Sequence, residues 1–249
     1  MIEKITKFIR DEVEKAKANG VVIGLSGGID STVTAFLCVK ALGKDKVLGL
    51  IMPEKMSKIE DIEDAKMVAE LLGIKYKIID ITDILKAFGV YSPVKEFEFA
   101  DANLKPRVRM CLLYYYANKY NLLVVGTGNK SEWLTGYFTK YGDGAADIYP
   151  ILDLYKTDVR NLAKELKVPE KIIMKTPSAG LWEGQTDEEE LGISYDLLDK
   201  ILILYEKGKN AEEISRELNI DIKKVEHVFN LIKKSEHKRA GVKYPKVRE

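Results

Sequence analysis

The stretch Gly24-Leu25-Ser26-Gly27-Gly28-Ile29-Asp30-Ser31 follows an apolar run, Val21-Val22-Ile23, and opens onto Thr32-Val33-Thr34-Ala35-Phe36-Leu37. The run reads as a buried strand, the paired glycines as a tight turn and the remainder as a helix. A strand, a glycine-rich turn and a helix start make an anion site, because free backbone N–H groups and the positive end of the helix dipole meet there. No lysine sits where a Walker A loop would place one. Asp30 sits there instead, and a carboxylate meets phosphate through a magnesium ion rather than directly.

The same rhythm continues outward. Lys46 to Met52 and Tyr76 to Ile81 read as further strands, and Leu122 to Val125 as a buried one ending in Gly126-Thr127-Gly128. Helical patterns occupy Asp30 to Leu42, Ala102 to Tyr120 and Lys156 to Leu166, and Ser57 with Glu60 suggests a capping box for a helix reaching about Leu72. Strands separated by helices predict an α/β fold with a doubly wound parallel sheet, whose ligands bind beyond the carboxyl ends of the strands. Asp30 and the Gly126–Glu132 segment both lie just past strand ends and are expected to face one site. Two stretches, Tyr137 to Pro150 and Lys175 to Leu191, lack periodicity and have the length of functional loops.

Bulk properties remove several classes. The chain has 249 residues, 46% of them hydrophobic, and a net charge of +1. A packed core follows, and a globally basic nucleic-acid binder does not. No apolar stretch approaches the ~18 residues of a membrane span, and the charged start Met1-Ile2-Glu3-Lys4 is unlike a secretory leader. Cys38 and Cys111 lack Cys or His partners at metal spacing and read as small buried hydrophobes in a reducing, cytoplasmic setting. The segment Asn210 to Lys233 superficially reads as helix-turn-helix, but a helical pair closing the domain is the favoured reading.

Ser-Gly-Gly-x-Asp-Ser at Ser26–Ser31 resembles the pyrophosphate loop of the N-type ATP pyrophosphatases, which cleave ATP between the α- and β-phosphates. Within that superfamily, Asn103-Leu104-Lys105-Pro106-Arg107-Val108-Arg109-Met110, Gly126-Thr127-Gly128-Asn129-Lys130-Ser131-Glu132, Phe138-Thr139-Lys140-Tyr141-Gly142-Asp143-Gly144, Glu190-Leu191-Gly192-Ile193-Ser194-Tyr195 and Glu236-His237-Lys238-Arg239 resemble the NAD synthetases, over nearly the whole chain. The resemblance implies a Rossmann-like sheet of the adenine nucleotide alpha-hydrolase type with C-terminal helices. It also implies a single domain over 1–249: an N-terminal helix at 1–20, a nucleotide-binding core at 21–170, and a substrate loop with C-terminal helices at 171–249. The activity implied is ATP-dependent amidation of deamido-NAD by ammonia through an NAD-adenylate, in a homodimer.

Residue roles follow from the same resemblance. Gly24, Leu25, Ser26, Gly27, Gly28, Ile29, Asp30 and Ser31 would cradle ATP with Thr127, Lys156 and Ser178, where family members often carry threonine at the last position. Asp30 and Glu132 would hold Mg2+, and Asp30 and Lys156 would be catalytic. Arg107, Lys140, Asp147, His237 and Lys238 would bind deamido-NAD, and Asp143 would bind ammonium. Plainer readings stand beside these: an N-cap aspartate for Asp30, a solvated Glu132, a surface His237 and a charge partner for loop lysines at Asp143. A lysine at a helix start, as at Lys156, is electrostatically unfavourable and so is expected to reach for phosphate. Arg107 and Arg109 face different ways on a helix, and the alignment selects Arg107. Alternative functions are another superfamily member, such as a GMP synthetase or tRNA-modifying enzyme, or a non-catalytic nucleotide sensor or DNA-binding regulator that uses the C-terminal helices.

Overall fold

The computed structural model describes residues 1–91, 98–178, 180 and 184–247. Its first part alternates as expected: α1 (Ile2–Lys15), β1 (Gly20–Gly24), α2 (Ile29–Leu42), β2 (Val47–Ile51), α3 (Ile59–Leu72), β3 (Lys75–Ile78), α4 (Thr82–Ala87), α5 (Glu98–Tyr120) and β4 (Leu122–Val125). There follow α6 (Lys130–Thr135), α7 (Lys156–Glu165), α8 (Glu170–Ile173), α9 (Asp187–Leu191), α10 (Tyr195–Glu206), α11 (Ala211–Leu218), α12 (Ile222–Lys234) and α13 (Glu236–Arg239).

The four strands form one parallel sheet in the order β3-β2-β1-β4. The chain runs outward from β1 through β2 to β3, then returns to place β4 on the other side of β1. The point of reversal, between β1 and β4, is where an open α/β sheet leaves a crevice at its carboxyl edge. Side chains alternate across β1, which is why an unbroken apolar run suits it. Val21 and Ile23 join Ile9, Val33, Leu37, Val68, Val159 and Leu162 on one face, while Val22 joins Leu50, Leu85, Val108 and Val124 on the other. The edge strand β3 is short and carries Lys75 and Lys77, which discourages pairing with another sheet.

The C-terminal helices enclose a third apolar cluster, centred on Tyr195, Leu198, Ile201, Ile214, Val225 and Val228. The segment that superficially resembles helix-turn-helix forms α11 and α12, whose buried faces pack into this cluster as a closing helical pair. Gly208, at φ +80°, follows the end of α10, and Asn219, at φ +52°, closes α11.

Several local expectations change. The helix at Ser57 starts at Ile59 with Lys58 as N-cap, because the Ser57 hydroxyl accepts the Glu54 N–H (2.9 Å) instead of capping. Helix α5 begins four residues before Ala102 and runs through Pro106, whose missing N–H costs one helical hydrogen bond. Cys38 is buried, with its thiol pushed up to about 12 by desolvation, but Cys111 is exposed.

Helix α5 is locked to the end of β2 by buried charge. Lys105 donates to the Glu54 carboxylate (2.9 Å), which also accepts from the Met56 N–H (2.8 Å) and the Tyr91 hydroxyl. The Arg109 Nε donates to the Met52 carbonyl (3.0 Å). Breaking one side of a buried pair leaves an uncompensated charge, so Glu54→Ala is expected to cost about 3–5 kcal/mol in urea unfolding. A loss below ~1 kcal/mol would show that the pair does not anchor α5.

Candidate active site

The pyrophosphate-type loop leaves β1 at Gly24 and enters α2 with Gly28 as its N-cap. Gly27 adopts φ +76°, and a Cβ there would lie 2.4 Å from the Asp61 carbonyl oxygen, so the loop backs directly onto the start of α3. Hydroxyl groups brace it from within. The Ser26 and Ser31 Oγ atoms lie 3.1 Å apart, Ser31 Oγ donates to the Gly28 carbonyl (3.1 Å), and Ser26 Oγ accepts the Gly28 N–H (3.3 Å). From outside, the Lys175 ammonium reaches the Gly27 carbonyl (3.4 Å) and the Asp61 (2.5 Å) and Asp64 (2.6 Å) carboxylates.

Strand β4 lies directly beside β1, with Ile23 opposite Val125, so the loop after β4 emerges next to the first. Gly126 allows close passage: a Cβ there would lie 2.2 Å from the Tyr149 ring. Asn129 caps α6 by accepting the Glu132 N–H (3.0 Å), and Glu132 reciprocates by accepting the Asn129 N–H (3.2 Å). The fully buried Asn129 amide also donates to Asp30 Oδ1 (2.9 Å). Asp30 is therefore not the N-cap of α2; its carboxylate points across the crevice.

Lys156 completes the arrangement. It is the first residue of α7 and is buried, with its ammonium 2.6 Å from Asp30 Oδ2 and 3.3 Å from Glu132 Oε1. The α7 start is pinned by Ser131 and Asp199: the Lys156 N–H donates to Ser131 Oγ (2.9 Å), Ser131 Oγ to Asp199 Oδ1 (2.5 Å), and the Thr157 N–H to Asp199 Oδ2 (2.8 Å). Burial alone would lower the pKa of Lys156, but the charges of Asp30 and Glu132 outweigh it and hold it above the usual lysine value. Burial chiefly, with the charges of Asp30 and Asp187 adding, pushes the Glu132 carboxyl up to about 8 against the pull of Lys156.

The remaining predicted residues fall into four places. Thr127 and Asp143 line, with Glu132, Trp133, Phe138 and Tyr149, a cavity of about 50 Å³. Asp143 accepts the Thr139 N–H (2.9 Å), and the buried Tyr149 hydroxyl has no hydrogen-bond partner. Arg107, Lys140, His237 and Lys238 are linked through backbone carbonyls: Arg107 Nε donates to Lys140 O (3.3 Å) and Lys140 Nζ to His237 O (3.0 Å). Lys238 Nζ holds the Gly136 and Phe138 carbonyls (both 2.7 Å). Arg107 is exposed while Arg109 is tied to β2, so the two arginines do part company. Asp147 accepts the Val124 N–H (2.7 Å) and the Tyr114 hydroxyl (3.3 Å). Ser178 is exposed, accepts the Gly180 N–H (3.1 Å) and is not drawn into the centre.

Sequence reasoning passed over Asn129, Asp199 and Lys175. Asn129 carried a readable signal, since Asn-x-x-Glu is a capping-box pattern. Asp199 and Lys175 act through contacts between distant segments and carried none.

Two half-buried carboxyl groups around one buried ammonium form a set of hard oxygen donors. Among the described residues no group of three His, Cys, Asp or Glu side chains is arranged to hold a metal alone. The pair fits Mg2+, which takes one or two carboxylates and completes its shell with phosphate oxygens and water.

The comparisons with known proteins agree over the whole length. A family model described as NAD synthase matches residues 1–241. The NH(3)-dependent NAD(+) synthetase of Methanocaldococcus jannaschii is 66% identical over 250 residues, covering 99% of this chain and 96% of its own. Two solved structures are similar: an NMN synthetase from Francisella tularensis (40% identity, TM-score 0.87, 98% and 97% of the two chains covered) and an NH3-dependent NAD synthetase from Campylobacter jejuni in complex with the nitrate ion (37%, 0.81, 100% and 97%).

Because the folded protein holds the Glu132 proton more tightly than the unfolded chain does, this residue's contribution to stability is present below the ordinary carboxylate range and lost as pH rises toward about 8. The metal-free protein is expected to lose stability across that window in denaturant titrations, with a flatter profile for Glu132→Gln. Parallel profiles for the two proteins would contradict the assignment.

Proposed function

This chain belongs to the NAD synthase family as an ammonia-dependent NAD(+) synthetase, and we propose that the Asp30–Glu132–Lys156 centre is where it activates deamido-NAD with ATP. The observation that carries the reading is the meeting of both strand-end carboxylates on one buried ammonium beside the glycine-rich loop. A nicotinate carboxylate does not react with ammonia, because oxide is a poor leaving group. Attack of the carboxylate oxygen on the α-phosphorus of ATP breaks the bond to pyrophosphate and yields an NAD-adenylate. Ammonia then adds to the activated carbonyl, AMP leaves with the carboxylate oxygen, and the nitrogen gives up its surplus proton.

Each part of the centre has a task in these steps. The N–H groups at the α2 start and the Ser26 and Ser31 hydroxyls grip the departing pyrophosphate. Asp30 and Glu132 hold Mg2+, which supplies Lewis-acid neutralisation of phosphate charge. Lys156 and Thr127 stabilise charge near the α-phosphate, and Ser178 joins the nucleotide from its loop. Arg107, Lys140, Asp147, His237 and Lys238 position the dinucleotide. The 50 Å³ cavity suits a guest the size of ammonia, with Asp143 and Glu132 to hold ammonium and Trp133, Phe138 and Tyr149 completing its lining. Asp143 accepts the proton.

The protein works as a homodimer in the cytoplasm, in one domain over 1–249. The support for self-association is the outer face of α5, where Tyr115 and Cys111 are exposed while Tyr114 and Tyr116 are only partly buried. Among the described residues no helix is long and apolar enough to cross a membrane.

Incubation with ATP, Mg2+, deamido-NAD and ammonium is expected to yield NAD, AMP and pyrophosphate, with the corresponding mononucleotide run in parallel as a competitor. ADP and phosphate as products would overturn the adenylation route. Asp30→Asn and Glu132→Gln should each lower kcat/KM by about 10²–10³. Asp143→Asn should raise the KM for ammonium more than it changes kcat; an unaltered ammonium dependence would remove Asp143 from the reaction. Sedimentation should show a dimer that Tyr115→Glu weakens; a monomeric parent protein would refute the α5 interface.

A further inference from the structure

Asp187, in the first turn of α9, stands apart from every residue given a role above. It is 4% exposed, and its Oδ1 makes no close hydrogen bond; the neighbouring Tyr137 hydroxyl acts on the carboxylate but donates to Glu190 instead. Of the three buried side-chain atoms in that condition among the described residues, it alone is charged, the others being Thr82 Oγ1 and Tyr149 OH. A buried carboxylate oxygen without a donor costs more than a bare hydroxyl does. The residue is held in this position: its N–H donates to the Pro177 carbonyl (3.1 Å), and its Oδ2 accepts the Tyr195 hydroxyl (3.1 Å).

Tyr195 shows which way the carboxylate is aimed. This fully buried side chain presents its ring face to the Lys156 ammonium, 4.9 Å from the centroid, while its hydroxyl grips Asp187. The charge of Asp187 acts on Lys156 and on Glu132. Lys156 thus has Asp30 and Glu132 on one side, with the Tyr195 ring and the charge of Asp187 also acting on it.

An ammonium has three donors and, when buried, needs an anion close by. A divalent cation on Asp30 and Glu132 takes away both of its present acceptors and repels it. We propose that Asp187 is a positioning residue that receives the Lys156 ammonium when Mg2+ occupies Asp30 and Glu132. Tyr195 holds the receiving carboxylate and supplies the ring along which the ammonium moves. One donor of Lys156 then pairs with Asp187, and the others are free for phosphate. This rests on the reading that Asp30 and Glu132 are the metal ligands.

Calorimetric titration of Mg2+ into protein saturated with α,β-methylene-ATP tests it, using the parent protein, Asp187→Asn, Lys156→Met and the double variant. Asp187→Asn is expected to weaken Mg2+ binding on the order of tenfold with Lys156 present, and to have no further effect in the Lys156→Met background. Tyr195→Phe, which keeps the ring and removes the donor, should show a smaller loss with the same dependence on Lys156. It serves in place of Asp187→Asn should that variant not fold. An equal loss in both backgrounds, or none in either, overturns the role of Asp187. Failure of the metal reading looks different: Asp30→Asn and Glu132→Gln would then bind Mg2+ as the parent protein does.

Discussion

A lysine ammonium buried between two carboxylates gathers the central groups of this molecule at one point. Removing the ammonium would leave Asp30 and Glu132 facing each other without a counter-charge, which costs several kcal/mol. The three come from the starts of α2, α6 and α7, so the ion cluster holds three helix N-termini around one point. Parallel pairing of β1 with β4 makes this possible by delivering two loops to the same edge. Asn129, Ser131 and Asp199 remove the remaining freedom by tying the loop after β4 to Asp30 on one side and to α7 and α10 on the other.

The cluster is also electrostatically out of balance, and that imbalance bears on function. Glu132 is held well above the ordinary carboxylate range, and Asp187 adds negative charge nearby. A site with surplus buried negative charge favours the entry of a cation, and Mg2+ accompanying a nucleotide meets that need. The glycine-rich loop, braced by serines within and by Lys175 behind, offers donors to the phosphates the metal brings. Catalysis of adenylyl transfer then becomes mainly a matter of alignment and charge.

Much of this was legible in local pattern. The apolar run before Gly24, the paired glycines and Asp30-Ser31 specify strand, turn, helix and anion site within a dozen residues. The strand ending at Val125 and its Gly-Thr-Gly exit place Glu132 at a second strand end by the same logic. What stayed hidden depends on partners far along the chain. Ser57 and Glu60 have the spacing of a capping box, yet Glu54 takes the serine hydroxyl for its own backbone. The helix-start lysine at Lys156 is expected from sequence to reach for phosphate; its partners in this structure are carboxylates. Asp187 lies in the aperiodic stretch that reads as a functional loop, and only the packing of Tyr195 shows that it faces inward.

The central claim is that Asp30 and Glu132 together hold the metal that meets ATP, with Lys156 yielding its place. A crystal structure with Mn2+ and α,β-methylene-ATP measures this directly through the anomalous signal of the metal. The account predicts an anomalous peak within coordination distance of both carboxylates, ~2.2 Å, with the Lys156 ammonium no longer bridging them. A peak elsewhere, or an ordered nucleotide with Lys156 still bonded to both Asp30 and Glu132, would contradict it.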